Sequence, residues 1–184
     1  MKEDKGPAAR EGIRPGIIFI TGGARSGKSR HAQELAQRWS DTPVYIATAR
    51  QWDDDFRERI QRHQRDRDER WTSIEEEKAI GGLALQGKVA VIDCVTLWLT
   101  NFFVDTKQDP DACLEACKKE IDLLSTQDAI VLLISNEIGM GLHADTETGR
   151  KFTDLHGWIN QYIAGKANKV IFMVSGIPVT IKDH

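Results

Sequence analysis

The sequence predicts an α/β fold, a mostly parallel sheet with helices on both of its faces. Three observations predict it. Short apolar runs alternate with amphipathic stretches along the chain. The apolar runs are mostly continuous, as in strands buried on both sides. The first run leads directly into a glycine-rich turn that opens the first amphipathic stretch. With 184 residues there is chain for one ordinary domain, read here as a single unit over residues 17–184.

Taken in order, Met1 to Gly16 is charged, carries Gly6, Pro7, Gly12, Pro15 and Gly16, and lacks the apolar core of a signal peptide, so it reads as a disordered leader. Strands are predicted at Ile17–Thr21, Val44–Ala47, Val89–Asp93, Ile130–Ser135 and Val170–Ser175, with a short last one at Val179–Ile181. Apolar residues at helical spacing mark the intervening helices: Ala32, Leu35, Ala36 and Trp39; Leu114, Cys117, Ile121 and Leu124; Phe152, Leu155, Ile159 and Ile163. A further helix is predicted to start near Thr96. Asp53 to Trp71, dense in both charge signs, reads as a helix with a solvated face, and Phe56, Ile60 and His63 fall on its inward side. Gly81, Gly82 and Gly87 punctuate loops.

Composition narrows the function. The net charge of −3, from 25 basic and 28 acidic residues, gives no overall attraction to nucleic acid or anionic lipid. The longest apolar region, Val89 to Val104, is interrupted by Asp93, Thr96, Thr100 and Asn101 and is too short and polar to span a bilayer. Cys94, Cys113 and Cys117 form no CxxC pair, and Cys113 and Cys117 read as small buried hydrophobes of a reduced, cytoplasmic protein.

Gly22, Gly23, Ala24, Arg25, Ser26, Gly27, Lys28 and Ser29 satisfy G-x-x-x-x-G-K-[ST], between a strand and a helix. Glycines let successive N–H groups converge on phosphate oxygens, and the helix N-terminus adds partial positive charge. Lys28 would bridge the terminal phosphates and the Ser29 hydroxyl would be a ligand of Mg²⁺. The predicted fold is therefore of the P-loop NTPase type. Asp93, ending a buried strand, has two compatible readings, as a Mg²⁺ ligand and as a cap for the helix starting near Thr96.

His63 likewise has two readings, a hydrogen-bonded structural residue or a nucleophile whose attack on a nucleotide phosphorus would give a phosphoramidate. Asn136 and Glu137 follow a strand at its carboxyl end, where ligands of open α/β sheets bind; they read as positioning groups or as a polar turn. Trp71 and Trp98 read as packing anchors. No N-K-x-D reads guanine, since Asn168-Lys169-Val170-Ile171 lacks the Asp. A small kinase or transferase remains.

The run Thr21 to Arg30, Tyr45-Ile46-Ala47-Thr48, Arg59-Ile60 with His63 and Trp71, Asp93-Cys94-Val95-Thr96, Asn136-Glu137-Ile138-Gly139-Met140-Gly141, Asn160-Gln161 and Gly176-Ile177-Pro178 together resemble the bifunctional adenosylcobinamide kinase/adenosylcobinamide-phosphate guanylyltransferase family of cobalamin biosynthesis. The resemblance covers essentially residues 17 to 182, and departs from the family's Pro, Pro and Arg at Asp68, Ala144 and Thr153.

The resemblance implies phosphorylation of adenosylcobinamide with ATP or GTP, then transfer of GMP from GTP to the adenosylcobinamide phosphate. It implies that Gly22 to Ser29 bind GTP phosphates, that Thr48, Ala49 and Arg50 line the nucleotide site, and that His63 takes up the guanylyl group. Arg65, Asp66, Arg67, Asp68, Glu75 and Asp93 occupy further positions associated with GTP, and a homo-oligomer, a trimer, is implied. The alternatives are a small-molecule kinase without the guanylyl step and a nucleotide-dependent regulatory P-loop protein.

Overall fold

The computed structural model describes residues 14–50 and 68–183. Its elements in chain order are β1 (Gly16–Gly22), α1 (Lys28–Trp39), β2 (Val44–Ala47), β3 (Thr72–Glu75), a 3-10 turn (Ile80–Gly82), β4 (Val89–Asp93), α2 (Val95–Asp105), α3 (Pro110–Ser125), β5 (Ile130–Ile134), α4 (Glu147–Lys166), β6 (Lys169–Val174) and β7 (Ile177–Asp183). The strands form one sheet in the order β3-β2-β4-β5-β1-β6-β7. Every neighbouring pair is parallel except β6 and β7, which close a hairpin. The α/β, mostly parallel fold class is borne out.

Successive residues of the central strands face opposite layers. Ile17 and Phe19 of β1, Ala90 and Ile92 of β4, and Val131 and Leu133 of β5 join a core completed by α2, α3 and α4. Ile18 and Ile20, Val89 and Val91, and Ile130 and Leu132 face the other way, onto Ala32 and Ala36 of α1. Two buried faces per strand explain the continuous apolar runs. Trp98 is fully buried, with its indole N–H on Lys78 O at 2.9 Å and its ring edge-on to Phe102. Trp71 packs edge-on against Tyr45. All three cysteines are free and buried, and burial raises the Cys117 thiol far above its ordinary value.

Helix ends follow the sequence chemistry. Asp109 caps α3 by accepting from the N–H groups of Asp111 and Ala112, with Pro110 in the first turn. Thr146 caps α4 by accepting from Gly149 N–H. α1 and α2 start at Gly27 and Cys94 with no side-chain cap.

The differences from prediction are local. β3 was not foreseen: Thr72-Ser73-Ile74-Glu75 is an edge strand with a single apolar side chain, and its pairing with β2 is a backbone matter. Of the charged stretch predicted to be helical, residues 53–67 lie outside the described residues, and residues 68–71 are not helical. Asp68 accepts from both the Arg70 backbone N–H and its guanidinium, and Trp71 N–H bonds back to Asp68 O, which makes a turn. β1 begins at Gly16, one residue inside the predicted leader, with Gly16 N–H on Ala129 O. β7 is longer than Val179–Ile181 because its backbone pairs with β6 from Ile177 onward.

Candidate active site

β1, β4 and β5 are adjacent parallel strands, so their carboxyl ends converge at one edge of the sheet. There the loop from Gly22 to Ser29 turns into α1 and faces a cleft of about 760 Å³. Arg25, Ser26, Gly27, Lys28 and Ser29 line it from the loop side; Tyr45, Ala47, Ala49, Asp93, Cys94 and Asn136 line it from the strand ends, and Ser175 and Gly176 from the β6–β7 turn.

Two glycines are there for conformation and close approach. Gly22 has φ +150°, and a Cβ on it would lie 2.5 Å from Met173 O. Gly27 has φ +93° at the helix start. The loop is held from both sides: Glu137 N–H donates to Gly22 O, and Gly176 N–H to Ser26 O, each at 3.0 Å. The Ser26 hydroxyl is buried without a hydrogen-bond partner among the described residues.

Lys28 folds back over its own loop. Its ammonium donates to Gly22 O at 2.9 Å and Gly23 O at 2.7 Å, and the residue is only 7% exposed. Burial lowers its pKa, opposed by the Cys94 and Asp93 side chains. A buried cation satisfied by two neutral carbonyls is poorly compensated, and a phosphate chain offers it charge-assisted bonds in their place.

Asp93 ends β4, and its Oδ2 accepts from Tyr45 OH at 2.9 Å across the β2–β4 pair. It does not cap α2, whose N-cap is Cys94. A hydroxyl from Ser29 and a carboxylate from Asp93 on one cleft are hard oxygen donors. No group of three or more His, Cys, Asp or Glu side chains fit for a metal occurs among the described residues. That donor set suits Mg²⁺, which takes few protein ligands and shares the rest with phosphates and water.

The other predicted positions are distributed around this cleft. Ala49 lines it, but the Thr48 side chain is buried with its hydroxyl on Cys94 O at 2.9 Å. Arg50 pairs bidentately with Asp105 and also with Glu77; these partners raise the guanidinium pKa, while Arg50 and Lys78 hold the Asp105 carboxyl far below its ordinary value. Glu75 is exposed at the end of the edge strand β3, and Asp68 is engaged with Arg70. His63, Arg65, Asp66 and Arg67 lie outside the described residues.

Three features escaped the sequence reading. One is the Tyr45–Asp93 hydrogen bond, and another is the β6–β7 turn lying against the loop. The third is a buried cluster of His156, Asn160, Ser135 and Thr96 directly behind Asn136. For the cluster a signal existed: His156 and Asn160 stand four apart, beside Leu155 and Ile159, on the inward face of α4.

A buried lysine bonded to its own loop, at the head of a helix whose first turn no side chain caps, defines a P-loop nucleotide-binding protein. Residues 18–181 match the model of the family described as "Cobinamide kinase / cobinamide phosphate guanyltransferase". The chain belongs to that family. It is 38% identical over 181 residues to the bifunctional adenosylcobalamin biosynthesis protein CobU of Escherichia coli (strain K12), covering 90% of this chain and 99% of that protein. It is also 38% identical over 171 residues to the bifunctional adenosylcobalamin biosynthesis protein CobP of Pseudomonas aeruginosa PAO1, covering 90% and 97%. Among solved structures, PH0250 from Pyrococcus horikoshii OT3 is similar in fold, with a TM-score of 0.51, 8% identity, and coverage of 93% of this chain and 88% of that one. No helix among the described residues is long and apolar enough to cross a membrane.

Proposed function

We propose that this chain carries out both reactions of its family. In the first, the aminopropanol hydroxyl of adenosylcobinamide attacks the γ-phosphorus of ATP or GTP, the bond to the β-bridging oxygen breaks, and the nucleoside diphosphate leaves. In the second, the His63 imidazole attacks the α-phosphorus of GTP and expels pyrophosphate. An oxygen of adenosylcobinamide phosphate then attacks the guanylylated histidine, breaking the P–N bond and releasing adenosyl-GDP-cobinamide.

The observation that carries this reading is Lys28, an ammonium buried over its own loop on two carbonyls that a phosphate chain would replace. The loop N–H groups and the N-terminus of α1 would hold the phosphates, and Lys28 would follow the charge that develops on the transferred group. Mg²⁺ would neutralise phosphate charge, with Ser29 and Asp93 as its protein ligands. Arg65, Asp66, Arg67, Asp68, Glu75, Thr48, Ala49 and Arg50 are assigned to the GTP side of the site through the family pattern. The same reading makes residues 17–184 one catalytic domain, working in the cytoplasm as a homo-oligomer, a trimer.

Adenosylcobinamide, Mg²⁺ and labelled ATP or GTP, with products identified by mass, test the overall assignment. Phosphorylated and then guanylylated corrinoid is expected, and no corrinoid product at any nucleotide concentration would sink it. With α-labelled GTP, the protein should take up an acid-labile, base-stable label that is absent from His63→Asn; label persisting in that variant rejects the nucleophile.

A further inference from the structure

Behind the cleft lies a polar cluster for which the two reactions have no use so far. His156, on α4, is 1% exposed. Its Nε2 is 3.0 Å from Thr96 Oγ1 and 3.4 Å from Ser135 Oγ, and its Nδ1 is 3.4 Å from Asn160 Nδ2. The single proton of the Ser135 hydroxyl goes to Asn160 Oδ1 at 2.8 Å, with Asn136 O a longer second acceptor at 3.3 Å. Ser135 can therefore only accept from the imidazole. Asn160 Nδ2 can only donate, and it also reaches Asn136 O at 3.2 Å. Together these partners fix one tautomer, with Nδ1 bare and the proton on Nε2, aimed at Thr96.

Thr96 Oγ1 then accepts from His156 on one side and from Asn136 Nδ2 at 3.0 Å on the other, and the longer Asn136 N–H contact at 3.3 Å competes for that second lone pair. With the amide nitrogen turned inward, the other end of the Asn136 amide, Oδ1, is an acceptor on a residue that lines the cleft. Its place against the loop is fixed, because the next residue, Glu137, donates its N–H to Gly22 O. An acceptor on this cleft is suited to an alcohol and unsuited to a phosphate. A protonated imidazole would set Nδ1–H against the Asn160 NH₂, and burial lowers the His156 pKa to about 4, so the network keeps one polarity across neutral pH.

We propose that Asn136 Oδ1 receives the hydroxyl of the corrinoid substrate, and that His156 is a positioning residue which holds it in that orientation through Thr96. The assignment rests on the kinase reading above. Wild-type enzyme inactive on adenosylcobinamide would remove that reading, whereas the proposal itself is judged only by how variants of an active enzyme differ.

The test compares Asn136→Ala, His156→Leu and the double variant with wild type, measuring kcat, KM for adenosylcobinamide and nucleotide affinity. One lost hydrogen bond of this kind corresponds to about a tenfold rise in the corrinoid KM in each single variant, with nucleotide affinity held within about twofold. Because both changes remove the same contact, the double variant should be no worse than Asn136→Ala. His156→Gln, whose amide can still donate to Thr96, should recover most of the loss. Should His156→Leu not fold, Thr96→Val cuts the same relay and carries the same expectation. An unchanged corrinoid KM, an equal loss of nucleotide affinity, or multiplying effects in the double variant would each overturn the proposal.

Discussion

Acidification should cost this protein stability through one buried side chain. His156 is held at a pKa of about 4 against an ordinary 6.5, and burial is the cause. Its polar contacts, Thr96, Ser135 and Asn160, are neutral, and the nearby ring of Phe152 brings no charge. In the unfolded chain the imidazole takes up a proton as the pH falls through about 6.5, while the folded protein leaves it neutral until about pH 4. The His156 contribution to stability is therefore complete above pH 7, declines from about 6.5 to 4, and levels off below. At about 1.4 kcal/mol per pH unit the full loss is about 3 kcal/mol, of which about 2 kcal/mol has gone by pH 5. Urea unfolding of wild type and His156→Gln at pH 7 and pH 5 isolates this contribution, since both chains share every carboxylate and His31. Wild type should lose about 2 kcal/mol more than the variant over that interval. Equal losses in the two proteins would mean that the imidazole titrates normally and that the single-tautomer network is wrong.

Other consequences follow from the cleft. Lys28→Ala removes two or more charge-assisted bonds to a phosphate chain and should weaken triphosphate binding about a hundredfold in a fluorescent-nucleotide titration, with little loss of melting temperature. Gly22→Ala should destabilise the fold by about 2 kcal/mol, because its Cβ would meet Met173 O at 2.5 Å, whereas Gly23→Ala, with nothing within 4 Å of the new atom, should melt within a degree or two of wild type. The thiols of Cys94, Cys113 and Cys117 should resist a thiol reagent at pH 8 until denaturant is added; fast labelling of the native protein would contradict their burial.

Much of the fold was legible because its signals are local. The continuous apolar runs of β1, β4 and β5, and the loop between a strand and a helix, each lie within about ten residues. β3 was not legible, as an exposed strand with one apolar residue carries no periodicity for its backbone pairing to betray. The family pattern drew Tyr45 and Asn136 into view but not their work. Tyr45 meets Asp93 across 48 positions of sequence and His156 meets Thr96 across 60, so those contacts exist only once the register of the sheet and the docking of α4 are set. Arg50 was read as part of the nucleotide site, while in the fold it is engaged by Glu77 and Asp105, carboxylates too distant in sequence to pair by inspection.

The carbonyl grip on Lys28 bears on how two reactions can share one loop. Gly22 and Gly23 give the Lys28 ammonium its two carbonyls, while the N–H groups of Glu137 and Gly176 hold Gly22 O and Ser26 O. The two carbonyls are an internal competitor for the ammonium, weaker than a phosphate chain. A triphosphate of either base would displace the same pair of bonds, so this part of the site is blind to which nucleotide it serves.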